Sequence, residues 1–253
     1  MRRFCRIEQL LGTPAIERLR AARVAVFGLG AVGSYAVEAL ARAGIGYLRL
    51  VDCDVIRHSN FNRQLYALES TLGKSKVEVA CARVRDINPA CVVDGHHVFV
   101  DGESARRLAA PPLDAVVDAI DSVSPKVELI AAAVLAGLPV VSSMGAATRT
   151  DPAMVRAGDI ADTEMCPLAR FIRKRLRKRG IEQGVRCIYS IEPALNHRQA
   201  EDPEPDTFER GRPRKPIGSL PYMTGIFGLL AAHETLRILV PLPPRDKAAA
   251  GGG

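Results

Sequence analysis

Val24-Ala25-Val26-Phe27 runs without a break into Gly28-Leu29-Gly30-Ala31-Val32-Gly33, and a stretch of strong helix formers, residues 34–43, follows at once. An apolar run with no polar alternation predicts a strand covered on both faces, which is the condition of a parallel sheet sandwiched between helices. Gly44 and Gly46 stop the helix, and Tyr47-Leu48-Arg49-Leu50-Val51-Asp52 reads as the next strand. The rhythm continues with a helix over 73–86 ending near Asn88-Pro89, a strand from Cys91 to Val100, a short helix over 103–109, and a strand from Asp114 to Asp118. A helix near 125–137 and a strand from Pro139 to Ser143 complete it. Strands and helices alternating at this spacing predict an α/β fold: a doubly wound, mostly parallel, Rossmann-like sheet with right-handed crossovers.

Past residue 150 the alternation fades. A basic helix is expected over 166–179, a strand from Arg186 to Ser190, and an apolar helix over 222–239 closed by Pro241. The stretch 197–218, rich in proline and charge, reads as a mobile loop, and 241–253 as a frayed tail. The organisation expected is a nucleotide-binding domain over 1–150 and a carboxyl-terminal extension over 151–240 packed on it. The longest nearly uncharged apolar run, Leu129 to Val141, is 13 residues, short of the roughly 20 a membrane helix needs. With no apolar stretch after the basic start, no export signal is expected either, so the chain is placed in the cytoplasm, away from the membrane. The cysteines at 5, 53, 81, 91, 166 and 187 form no Cys-x-x-Cys pair and read as reduced, mostly buried thiols. The excess of 35 Lys and Arg over 28 Asp and Glu, net +7, points to an anionic partner without naming one.

A strand, G-x-G-x-x-G and a helix in succession hold phosphate oxygens on the backbone N–H groups that open the helix. With Asp52 at the end of the second strand, placed for ribose hydroxyls, these features alone favour an NAD-dependent oxidoreductase. Gly73-Lys74-Ser75 is no P-loop, because Leu68 occupies the place of the required glycine. The balance changes with Asp52-Cys53-Asp54, Ser59-Asn60-Phe61-Asn62-Arg63-Gln64 and Lys76, taken with Asp118-Ala119-Ile120-Asp121-Ser122. An enzyme that cleaves ATP between its α and β phosphates needs fixed cations against the charge growing on pyrophosphate, and a carboxylate at a strand end to hold Mg²⁺. Taken singly, Asn60 and Asn62 could cap a helix, Arg63 could be a surface charge, and Asp121 could cap the helix near Pro125. Taken together they fall at strand ends on one edge of the sheet.

These motifs, with Arg3-Phe4-Cys5-Arg6, Gly73 to Lys76 and Asn88-Pro89, make residues 3–145 resemble the adenylating enzymes related to the ubiquitin-activating enzyme, which include the activators of sulfur-carrier proteins. The resemblance implies ATP, Mg²⁺ and a homodimer. It implies that Asn60, Arg63 and Lys76 hold the phosphates, that Asp121 works with the metal, and that Arg6 reaches the neighbouring subunit's site. The nucleotide set is then Gly28, Gly30, Gly33, Asp52, Asp54, Asn60, Gln64 and Ser122. Sulfur-carrier activators carry two zinc-binding Cys-x-x-Cys pairs, absent here, so no structural zinc is expected. Ser142 to Ala147, the helix from Leu168 to Arg179 and Val185 to Pro193 resemble the branch that acts on tRNA, the threonylcarbamoyladenosine dehydratases. That implies activation of the carboxylate of N6-threonylcarbamoyladenosine as an acyl adenylate that closes into a ring, and leaves a sulfur-relay partner open. Because the nucleophile is a nitrogen already within the substrate, no catalytic cysteine is needed, and Cys166 and Cys187 read as packing residues.

Residues 170–179 hold seven cations, Arg170, Arg173, Lys174, Arg175, Arg177, Lys178 and Arg179, with no acidic residue between Met165 and Gly180. Their repulsion calls for an external anion, and an RNA backbone would serve. Three rivals stay in view: adenylation of a carrier protein's Gly-Gly end, an oxidoreductase, and a non-catalytic RNA-binding module.

Overall fold

The computed structural model describes residues 3–195 and 217–240. In chain order its elements are helices α1 (Cys5–Leu11) and α2 (Thr13–Ala21), strand β1 (Arg23–Phe27), α3 (Gly33–Ala43), β2 (Tyr47–Asp52), α4 (Lys76–Ile87), β3 (Val92–His97), α5 (Gly102–Leu108) and β4 (Ala115–Asp118). Then come α6 (Val123–Leu135), β5 (Val140–Ser143), β6 (Val155–Asp159), α7 (Pro167–Arg177), β7 (Val185–Ser190) and α8 (Pro221–Leu239).

Among the described residues seven strands form one sheet in the order β3-β2-β1-β4-β5-β7-β6, parallel throughout except for β6, which runs against β7. The apolar run of β1 explains the layering. Val24 and Val26 point into one core with Leu40 of α3, Val84 of α4 and Phe227 of α8, while Ala25 and Phe27 point into a second with Leu108 of α5, Ile130 of α6 and Ile172 of α7. Every residue of β1 after Arg23 is buried, so both faces of the strand are covered and the doubly wound prediction holds.

The apolar run Leu129 to Val141 is the end of α6 followed by β5, and no helix among the described residues is long and apolar enough to cross a membrane. The sequence does not reveal α1, α2 or the edge strand β6, whose Arg156 and Gly158 break any apolar pattern. Past residue 150, β6, β7 and α8 continue the same sheet and its cover. The loop expected at 197–218 lies almost entirely, and the tail at 241–253 wholly, outside the described residues.

The connections β1-α3-β2-α4-β3 step one way across the sheet, and β4 starts on the other side of β1. The carboxyl ends of β1 and β4 therefore flank a topological switch point, where open α/β sheets take their ligands.

Candidate active site

The glycine loop crosses this switch point. Gly28 has φ +85°, and a Cβ there would lie 2.7 Å from the Ala119 carbonyl oxygen, while a Cβ on Gly33 would lie 1.7 Å from the Gly28 carbonyl oxygen. These two glycines let β1, α3 and the loop after β4 approach one another. Gly30 has room, its nearest neighbour being the Gln64 amide at 3.6 Å from a built Cβ. No side chain caps α3; the Ser34 N–H donates to the Gly30 carbonyl at 3.0 Å, and the other amides of the first turn are left to phosphate oxygens.

Asp52 fastens the loop. Its Oδ2 accepts the Leu29 N–H at 2.6 Å and its Oδ1 the Asp54 N–H at 2.8 Å. Burial raises its pKa, outweighing the nearby Lys76 ammonium. Lys76, 4% exposed at the start of α4, donates to Asp54 Oδ2 at 2.8 Å. Burial pushes this ammonium toward neutrality, but the carboxylates of Asp52 and Asp54 prevail, with Asp121 adding to them, so the cation is kept. Asp52, Cys53 and Asp54 bring three ligand atoms within 4.8 Å of one another, yet Asp54 is already committed to Lys76. The Cys53 thiol beside them is pushed up to about 12 by burial and by the charges of Asp54 and Asp52, which disfavours its thiolate at neutral pH.

Asn60 is buried and its Oδ1 accepts the Arg57 N–H at 3.1 Å, which is the capping role available to it in sequence. Arg63 folds back, one guanidinium nitrogen donating to the Ser59 carbonyl and to Asn62 Oδ1, both at 2.7 Å. Gln64, also buried, stands over Gly30. Across the switch point Asp121 is exposed on the loop after β4, with Ser122 Oγ donating to it at 3.4 Å.

Beneath that loop lies a cluster the sequence reading missed. Asp118, Lys126 and Ser142 are each 0% exposed. Lys126 Nζ and Ser142 Oγ both donate to Asp118 Oδ2 at 2.6 Å, and Asp118 Oδ1 accepts the Ile120 N–H at 3.1 Å. The signal was present: one lysine in the first turn of α6, just ahead of the wholly apolar stretch Leu129 to Leu135. A second missed group holds the loop after β5. Glu192 accepts the N–H groups of Thr150 and Asp151 at 2.8 and 3.0 Å and the Thr150 hydroxyl at 2.9 Å. These donors bring its pKa down although burial works against them. Arg149, 2% exposed, ties the same loop to the Met165 carbonyl at 3.1 Å.

Arg6 does not join these residues within its own chain. It is exposed on α1, where Phe4 packs on Gly44 and Arg3 donates to the Ile87 carbonyl. Those contacts are at the far ends of α3 and α4, and the 11 residues of α3 separate them from the glycine loop by about 16 Å.

The basic helix also differs from its expectation. Its charges have an acidic partner after all, supplied by another helix: Arg179 donates to Glu128 of α6, at 3.0 Å for one of two contacts, and Arg175 donates to Ser124 Oγ at 3.0 Å. Arg173 turns inward to the Ile160 and Thr163 carbonyls at 3.2 and 2.7 Å. Arg170, Lys174, Arg177 and Lys178 are exposed and make no side-chain hydrogen bond or ion pair with a described residue. Cys166 and Cys187 are buried, as packing residues should be.

Residues 4–250 match the ThiF family. A tRNA threonylcarbamoyladenosine dehydratase of Bacillus subtilis is 38% identical over 242 residues, 94% of this chain and 95% of that protein. The protein of the same name from Escherichia coli is 35% identical over 262 residues, 96% of each chain. Among solved structures, the E. coli tRNA N6-threonylcarbamoyladenosine dehydratase in complex with AMP superposes with a TM-score of 0.84 at 34% identity, covering 94% of this chain and 93% of that one. Its complex with ATP gives 0.82.

Proposed function

Since this chain belongs to the ThiF family, we propose that it is an ATP-dependent tRNA threonylcarbamoyladenosine dehydratase that works through an acyl adenylate. The near-full-length match to the E. coli enzyme, in sequence and in fold, is the observation that carries this reading.

A carboxylate resists nucleophilic attack because oxide is a poor leaving group. In the proposed reaction the threonylcarbamoyl carboxylate oxygen attacks the α-phosphorus of ATP and pyrophosphate departs. The resulting acyl adenylate is attacked by a nitrogen of the same nucleoside, AMP leaves, and the base has lost one water. Holding nucleophile and acyl group in one bound molecule replaces a covalent enzyme intermediate, in keeping with the raised pKa of Cys53.

The amides opening α3 cradle the phosphates, with Gly30 leaving them space. Asp52 offers its remaining lone pairs to the ribose, and Asn60, Gln64 and Ser122 line the nucleotide. Lys76 and Arg63 oppose the charge that develops on pyrophosphate. Lys76, held charged by Asp52 and Asp54, is pre-set for this, whereas Arg63 must leave the Ser59 carbonyl to take part. Asp121 suits Mg²⁺: it is an exposed carboxylate at the strand end, close enough to Lys76 for their charges to interact. Magnesium bound there would neutralise triphosphate charge. Because Arg6 sits far from its own site, its role requires a homodimer in which each chain completes the other. The exposed cations of α7 bind the tRNA backbone. The reaction is cytoplasmic, and a sulfur-relay partner remains compatible with it.

The test is incubation with ATP, magnesium and tRNA from a strain lacking the ring-closed base, followed by mass spectrometry of the nucleosides. The expected result is loss of one water from the threonylcarbamoyl nucleoside with one AMP formed per event. Pyrophosphate exchange driven by a carrier protein and indifferent to tRNA would overturn the reading. So would a nicotinamide cofactor that raised the melting temperature more than ATP with magnesium does.

A further inference from the structure

Phe171 lies on the outward side of α7, 56% exposed, while Ala169, Ile172 and Leu176 of the same helix are buried. A single exposed apolar side chain is ordinary on a protein surface; its surroundings are not. Lys174, Arg175 and Lys178 follow it at i+3, i+4 and i+7, and so share its face of the helix, with Arg170 beside it. Of these, Arg170, Lys174 and Lys178 have no partner among the described residues, and Arg175 is tied only to Ser124.

That tie also fixes where the ring stands. Ser124 is in the first turn of α6, three residues after Asp121. The pairs Arg175–Ser124 and Arg179–Glu128 advance together by four residues, so α6 and α7 run side by side in the same direction, both from the carboxyl edge of the sheet. The start of α7 agrees: a Cβ on Gly145, just after β5, would lie 3.7 Å from Cys166 Sγ and 3.8 Å from Leu168 Cβ. Phe171 is one turn before Arg175, with Cβ atoms about 5–6 Å apart, and so stands at the rim of the adenylation centre.

A half-exposed apolar ring among cations that have no partner among the described residues fits one kind of partner: an unpaired nucleobase whose flanking phosphates meet those cations. We infer that Phe171 is a stacking platform for an unpaired base of the tRNA, adjacent to the nucleoside that reacts. The inference rests on the tRNA reading above and deepens it. Arg170, Lys174 and Lys178 take the phosphates on either side of the stacked base, and the ring sets which nucleoside enters the site.

The chain contains no tryptophan, so Phe171→Trp creates a single fluorescent reporter at this position. Phe171→Ala should weaken tRNA binding by about 5- to 150-fold, the range for loss of one stacked base, without altering the salt dependence or the affinity for ATP. Phe171→Leu, apolar but without a π face, should be nearly as weak. Phe171→Trp should bind like wild type, and its emission should be quenched by tRNA and not by ATP. Wild-type affinity in both Phe171→Ala and Phe171→Leu, or an unquenched tryptophan in a variant that still binds and converts tRNA, overturns the inference and leaves the function standing. A shift of Phe171→Ala to a smaller assembly in sedimentation also overturns it, by making the ring a subunit contact. A wild-type protein that does not convert tRNA removes both readings.

Discussion

Replacing Lys126 by methionine tests how the Asp121 loop is held. The ammonium is 0% exposed and meets the equally buried Asp118 Oδ2 at 2.6 Å. Methionine fills nearly the same space and removes the charge, which leaves Asp118 buried with only the Ser142 hydroxyl and the Ile120 N–H as partners. Breaking one side of a buried pair costs about 3–5 kcal/mol, and at about 2–4 °C per kcal/mol for a chain of this size the melting temperature should fall by roughly 6–20 °C. Because Asp118 orients the Ile120 amide just before Asp121, AMP formation at saturating tRNA should fall as well in the protein that remains folded. The double variant Lys126→Met with Asp118→Asn, which removes the stranded charge, should recover much of the lost stability. Urea unfolding of the wild type and the two variants measures this. If Lys126→Met lay within about 1 kcal/mol of wild type, or if the double variant were no more stable than Lys126→Met, the pair would not be what holds this edge of the site.

Asp94, bonded to the Tyr47 hydroxyl at 2.5 Å and Arg49 Nε at 2.8 Å, with His96 beside it, has its pKa lowered to about 2, these partners overcoming the opposing effect of burial. A depressed carboxylate stabilises above its unfolded pKa, near 4, and loses that contribution as the pH falls toward 2; with solvent screening this is about 1 kcal/mol, so Asp94→Asn should be less stable than wild type at pH 7 and converge with it between pH 4 and 2 in urea titrations. Lys174→Ala and Arg177→Ala should each reduce the salt slope of tRNA binding by about 1 and spare the fold, whereas Arg173→Ala, which releases the Thr163 carbonyl, should lower the melting temperature and leave the slope alone. Arg6→Ala and Arg63→Ala should each be inactive alone, yet mixing the two after dissociation should restore about a quarter of wild-type activity per chain, because one site of each mixed dimer is intact; failure to complement would remove Arg6 from the neighbouring site.

The central strands and the glycine loop were legible in the sequence because their physics is local. β1 must be apolar on both faces, and the strand-to-helix turn needs glycines wherever backbone approaches backbone, as at Gly28 and Gly33. The helices α1 and α2 and the edge strand β6 were not legible, since each depends on packing against elements distant in sequence. Phe4, for example, reads as an isolated aromatic until Gly44 provides its floor. In the site, Asp52, Asp54 and Lys76 came together as the motif spacing requires, while Lys126 and Ser142 were passed over because a lysine in a helix ordinarily faces water. Helix α7 shows why counting residues has limited reach. Seven cations in ten positions read as one charged surface, but the partners that divide them, Ser124, Glu128 and the Ile160 and Thr163 carbonyls, lie outside that segment. Three cations are held by the protein, and four have no partner among the described residues. That division is what sets Phe171 among charges with no partner in the described residues, and the tie from Arg175 to the first turn of α6, with the start of α7 packed beside Gly145, connects that surface to the carboxyl edge of the sheet.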